Sequence, residues 1–172
     1  MEQFKILFLG PVSSGKTTAL RSLCGDTMVN TEARPSDEVL NLKGETTVAL
    51  DYGSLSFGDD KKLHVYGAPG QERFAFMLDI LSQGCLGLVL LINVAELKEG
   101  GLEETLSLYE KHLQKAPYVI GFTHADKISQ EELTEHKSTL LNILNEDALI
   151  IDPREPREVA SLVEYIIAKI IG

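Results

Sequence analysis

Short apolar runs alternate along the chain with longer stretches whose apolar positions recur every three to four residues. The short runs predict strands at Phe4 to Leu9, Val48 to Phe57, Lys61 to Tyr66, Leu86 to Asn93, Tyr118 to Phe122 and Ala148 to Ile151. The periodic stretches predict helices over about residues 16–24, 72–83, 100–115, 129–145 and 156–171. In the last of these, Leu162, Val163, Ile166, Ile167, Ile170 and Ile171 form one stripe, as a helix packing on a core requires. Strands alternating with helices give an α/β domain of three layers around a six-stranded, mostly parallel sheet. Gly58-Asp59-Asp60 is a turn signal between two alternating runs, so one strand pair is an antiparallel hairpin. Centred there, the hairpin pairs residues whose numbers sum to about 118, with Leu55 opposite Leu63 and Phe57 on the same face as Val65. The same register sets Asp51 opposite Gly67.

Composition narrows the class of protein. At 172 residues and 44% hydrophobic, the chain can bury the core of one domain and needs no second. A net charge of -10 repels nucleic acid and anionic membranes at long range, so neither is expected as a partner. Cys24 and Cys85 lack metal-ligand spacing and sit in apolar surroundings, which reads as reduced core thiols and suits the cytoplasm. The longest apolar run, "CLGLVLLINVA", is too short to span a bilayer, and no leader or lipidation signal is visible, so no direct membrane anchor is expected. His64, His112 and His136 show no partner pattern and are expected at the surface.

Directly after the first strand stands Gly10-Pro-Val-Ser13-Ser14-Gly15-Lys16-Thr17, followed by Thr18. This is a complete G-x-x-x-x-G-K-[ST] between a strand and a helix, the context in which the pattern forms a phosphate-binding loop. Its glycines let the backbone N–H groups and the helix N-terminus face phosphate oxygens, and Lys16 supplies a positive charge to the β and γ phosphates. The Thr17 hydroxyl suits Mg²⁺. A nucleoside triphosphate or diphosphate is therefore the expected ligand.

Gly15-Lys16-Thr17-Thr18, Thr46-Thr47-Val48-Ala49-Leu50-Asp51 and Gly67-Ala68-Pro69-Gly70-Gln71-Glu72-Arg73-Phe74 follow one another in order. Together they resemble the prokaryotic Ras-like small GTPases of the MglA-like group, over essentially the whole chain. The resemblance implies a small GTPase-like fold, with Thr47 as the first-switch residue that senses the γ-phosphate and ligates Mg²⁺, and Gln71 orienting the attacking water. It also implies GTP and GDP as ligands, a roadblock-type regulatory partner and an effector that reads the two states. Gly70 can offer its N–H to phosphate. The usual switch aspartate is missing at Gly67, and the hairpin register offers Asp51 in its place, acting directly or through a water. Residues 25–45 show no convincing regular element and read as the first switch, with Arg34 within it as a solvated side chain; Arg73 reads as a surface ion-pair residue.

Thr123-His124-Ala125-Asp126 stands where the resemblance places the base-reading loop. A carboxylate such as Asp126 can accept from both N1–H and the 2-amino group of guanine, whereas adenine presents an acceptor at N1. Guanine is favoured on that ground. Thr123 is shorter than the asparagine of the group, which puts its tie to the phosphate loop in question, and His124 replaces a lysine. In Asp152-Pro153-Arg154 the central proline has no N–H for a base carbonyl, so Arg154 supplies a donor or the base is held less tightly. Three readings follow. The leading one is a slowly hydrolysing GTPase switch, against a nucleotide-bound interaction module with little hydrolysis, and a small-molecule kinase, for which an arginine-rich lid is missing.

Overall fold

The computed structural model describes residues 1–31, 50–71 and 75–172. Thr46, Thr47, Val48, Arg34, Arg73 and most of the expected first switch lie outside the described residues. In chain order the elements are β1 (Glu2–Leu9), α1 (Lys16–Cys24), β2 (Val29–Thr31), β3 (Leu50–Phe57), β4 (Lys61–Gly67), α2 (Phe76–Leu81), β5 (Gly87–Asn93), α3 (Gly101–Leu113), β6 (Tyr118–Thr123), α4 (Gln130–Leu144), β7 (Ala148–Ile150) and α5 (Pro156–Ile171). The expected fold is the one found. One strand is added to the six: β2, inside the stretch read as lacking regular structure, pairs antiparallel with β3 at the sheet edge. Three residues are too few for periodicity to register.

The sheet runs β2-β3-β4-β1-β5-β6-β7. From β4 to β7 every pair is parallel. The β3–β4 hairpin has the expected register, including Leu55 with Leu63 and Asp51 with Gly67. Phe57 nevertheless sits at the outer end of that face and is 39% exposed.

Alternation along β1 explains the three layers. Ile6 and Phe8 pack with Ala19, Leu20, Leu162 and Ile166 on the side of α1 and α5. Leu7 and Leu9 pack with Leu102, Leu106 and Leu140 on the side of α3 and α4. All four β1 residues are fully buried, and each such side chain contributes about 1.5–3 kcal/mol relative to exposure. Leu162, Val163 and Ile166 of the α5 stripe are in the core, while Ile170 and Ile171 run out into solvent beyond the sheet. Ser129 caps α4 by accepting from the Glu132 amide, and Asn145 ends it in the left-handed conformation.

Cys24 is buried and Cys85 partly buried, both as free thiols, and burial pushes the Cys24 thiol up to about 11. Among the described residues no helix is long and apolar enough to cross a membrane.

His112 differs from its expected surface placement, and both it and the half-buried His64 have partners where no partner pattern was expected. His112 lies on the sheet-facing stripe of α3 with Tyr109 and Leu113, and is only 6% exposed. Its Nε2 is 3.1 Å from Asp79 Oδ1 on α2, an oxygen that Lys111 also reaches. His64 sits between strands, with Nδ1 2.6 Å from the Tyr52 hydroxyl and Nε2 2.7 Å from Gln3 Oε1. Each partner comes from another element, so no local pattern announces it.

Candidate functional site: two cavities on one phosphate loop

The buried end of β1 passes at Gly10 into the loop, and α1 starts at Lys16. The Lys16 ammonium turns back into the loop, donating to the carbonyls of Gly10 and Pro11, the latter at 2.8 Å, and to Ser14 Oγ at 3.2 Å. Burial lowers its pKa to about 8, against the opposing pull of the Asp51 carboxylate. Lys16 is thus a desolvated cation held by two loop carbonyls and a hydroxyl, with the Asp51 carboxylate acting on its charge.

A cavity of about 350 Å³ opens beside it, lined among others by Thr17, Asp51, Gly67, Gly70 and Gln71. The Thr17 hydroxyl donates to Asp51 Oδ2 at 2.5 Å, joining the start of α1 to β3. At Gly67 a Cβ would lie 3.2 Å from Asp51 Cβ and 3.5 Å from its Oδ2, so a side chain there would press on Asp51. At Gly70 a Cβ would come within 2.6 Å of the Val12 nitrogen and 2.7 Å of the Pro11 carbonyl carbon. Both atoms are backbone, which cannot move aside, so glycine is required where the second segment crosses the loop. Gln71 lines the cavity from an exposed position.

A larger cavity of about 620 Å³ adjoins the other flank of the loop, lined among others by Ser13, Thr18, His124, Asp126 and Arg154. Thr123 is fully buried and donates to the Ser14 carbonyl at 2.9 Å. Its shorter side chain does tie the base-side loop to the phosphate loop, because the C-terminal ends of β1 and β6 bring the two segments within reach. His124 adopts φ 60°, with Nδ1 3.1 Å from the Thr123 hydroxyl. The Asp152 carboxylate accepts from the Arg154 guanidinium at 2.7 Å and from the Arg154 amide at 2.9 Å, which lowers its pKa to about 2. Arg154 is therefore already engaged at the cavity edge. The Pro153 carbonyl accepts from Ser22 Oγ of α1 at 2.8 Å.

Of the residues singled out in the sequence, Gly10, Ser13, Ser14, Gly15, Lys16, Thr17 and Thr18 form the loop and its helix start, with Asp51, Gly70 and Gln71 on one side and Thr123, His124, Asp126, Asp152, Pro153 and Arg154 on the other. Thr47 falls outside the described residues. Asn93 and Ser22 were missed. Asn93 Nδ2 donates to the Ser13 carbonyl at 3.1 Å. Its signal was available: a polar residue closing the apolar run "GLVLLIN" stands at the carboxyl end of a buried strand, where α/β sheets bind ligands.

A mostly parallel sheet, the phosphate-loop sequence after β1 and two cavities flanking that loop match the phosphate-loop GTPase fold and a nucleotide-binding protein. The chain belongs to the family described as conserved hypothetical ATP binding protein, which it matches over residues 25–168. It is also 33% identical over 127 residues to the uncharacterized protein MJ1339 of Methanocaldococcus jannaschii, covering 73% of this chain and 72% of that protein. In fold it is similar to the G domain of the T. maritima FeoB iron transporter, with a TM-score of 0.64, 19% identity, and coverage of 97% of this chain and 98% of that one. The bacterial selenocysteine-specific elongation factor EF-Sec is similar with a TM-score of 0.64 and 18% identity, over 98% of this chain and 29% of that one.

Proposed function

We propose that the protein is a GTP-binding switch of the MglA-like kind that hydrolyses GTP to GDP and phosphate, slowly by itself and faster with a roadblock-type partner. The observation that carries this reading is the pair of cavities meeting at one loop, with Asp126 on the base side and Gln71 on the phosphate side. Phosphates would take the Lys16 ammonium from the loop carbonyls. Water attacks the γ-phosphorus, the bond to the β–γ bridging oxygen breaks, and the water's protons end on phosphate oxygens. Gln71 places that water, and Lys16 balances charge gathering on the β and γ groups.

Oxygen donors suit Mg²⁺, and the Thr17 hydroxyl and Asp51 carboxylate, 2.5 Å apart beside the phosphate cavity, fit the ion. Thr17, Thr47 and Asp51 would hold it, Asp51 directly or through a water, and it would supply positive charge to the phosphate oxygens. The nucleotide's phosphate oxygens and water would complete its shell. Such a protein would work in the cytoplasm, where GTP and reduced thiols are available.

Two observations favour variants of this reading. The family description names ATP, and Pro153 offers no N–H to a base carbonyl, which points to adenine. The exposed position of Gln71 favours an interaction module that holds nucleotide with little turnover. Affinities for GTP, GDP and ATP, with Mg²⁺ and with chelator, decide the first. Guanine nucleotides should bind at least about tenfold more tightly than ATP, and Asp126→Ala should abolish that preference. Equal or reversed affinities would make ATP the ligand. Turnover with and without a roadblock-type protein decides the second.

A further inference from the structure

We infer that Asn93 is a positioning residue for the phosphate loop, clamping Ser13 so that the loop keeps its phosphate-binding shape; this rests on the reading of that loop as a nucleotide site. Ser13 has φ 68°, a left-handed conformation that a residue with a Cβ seldom holds without support. Asn93 supplies it. Its Nδ2 donates to the Ser13 carbonyl at 3.1 Å, while its Oδ1 accepts from the Ala95 amide at 3.0 Å. The second bond fixes which end of the amide faces the loop, since a flipped group would set its NH2 against the Ala95 N–H, donor against donor.

Asn93 does not act alone. It is the register partner of Thr123 on the next strand, and Thr123 donates to the Ser14 carbonyl at 2.9 Å. Two adjacent strand ends therefore hold two consecutive loop carbonyls. In a trans peptide the C=O and the N–H point opposite ways, so fixing the carbonyls of Ser13 and Ser14 also directs the amides of Ser14 and Gly15. The Ser14 amide closes the turn on the Pro11 carbonyl at 3.2 Å. Losing the Asn93 tie frees Ser13 to leave its left-handed conformation, and that turn opens.

Asn93→Ser tests this on the full chain. Serine can still accept from the Ala95 amide, but it is too short to reach Ser13. The variant should keep its melting temperature within a few degrees. In the nucleotide-free protein, amide hydrogen exchange at Ser14 should speed up by about tenfold. GDP should bind about tenfold less tightly while guanosine, which lacks phosphates, binds as in the wild type. Adding Ser13→Gly, which tolerates the positive φ without a clamp, should restore part of the GDP affinity. Unchanged exchange at Ser14 overturns the clamp whatever the nucleotide does, and so does a loss of GDP affinity that Ser13→Gly leaves untouched. Faster exchange in a protein whose wild type binds no GDP upholds the clamp and fails the nucleotide reading instead.

Discussion

Asp51 and Gly67 face each other across the β3–β4 hairpin, and the Asp51 carboxylate occupies the space beside Gly67 while accepting from the Thr17 hydroxyl. The pair is close-set: a Cβ on Gly67 would lie 3.2 Å from Asp51 Cβ, tight enough that one of the two must shift by a few tenths of an ångström. Moving the carboxylate across the pair should therefore be tolerated better than duplicating it.

Asp51→Ala should leave the fold intact and weaken Mg²⁺-dependent nucleotide affinity by about tenfold or more. Gly67→Asp alone should lower stability, because two carboxylates would crowd one site. The exchange Asp51→Gly with Gly67→Asp should recover part of the Mg²⁺ dependence. Nucleotide titrations at varied Mg²⁺, with melting curves beside them, measure all three; unchanged Mg²⁺ dependence in Asp51→Ala would end the assignment.

Gln71→Leu should slow GTP turnover by about tenfold or more while leaving nucleotide affinity near wild type, because positioning of water is lost and phosphate contacts are kept. Single-turnover hydrolysis, alone and with a roadblock-type partner, measures it. Equal rates in both settings would remove the catalytic role.

Thr123→Val keeps the shape of a fully buried side chain but deletes the donor to the Ser14 carbonyl. A buried acceptor left unpaired costs about 1–3 kcal/mol. A lower midpoint in urea and weaker nucleotide binding should appear together. If stability falls and binding is unchanged, the tie supports the fold and not the loop.

Asp152 should titrate at about 2, well below the ordinary carboxylate value of 3.8, because Arg154 favours its charged form. Its folded pKa is depressed, so the stabilisation is fully present above the ordinary value and is lost as pH falls towards about 2. The pair is exposed, so the effect should be small and weaken with salt. Arg154→Ala should return the carboxylate midpoint towards its ordinary value by NMR titration, and an unmoved midpoint would show that the pairing does not persist in solution.

Several parts of the site could be read from the chain because they are local. The phosphate loop is one contiguous pattern, and a hairpin register is fixed by its own turn, which is why Asp51 could be placed opposite Gly67 from sequence alone. The partners of His112 and His64, and the reach of Asn93 and Thr123 to the loop, could not be read this way. Each finds its partner on an element distant in sequence: Asp79 on α2, Tyr52 and Gln3 on β3 and β1, and the Ser13 and Ser14 carbonyls in the loop.

The sequence by itself determined the alternation of strands and helices, the phosphate loop and the hairpin pairing, since periodicity and turn chemistry act over a few residues. The tertiary structure decided that β1 lies between β4 and β5, with β6 next, and so which side chains end beside that loop. Strand order depends on how whole faces pack against helices. Only after that packing does a threonine on β6 become long enough to hold Ser14, or an asparagine on β5 come close enough to hold Ser13.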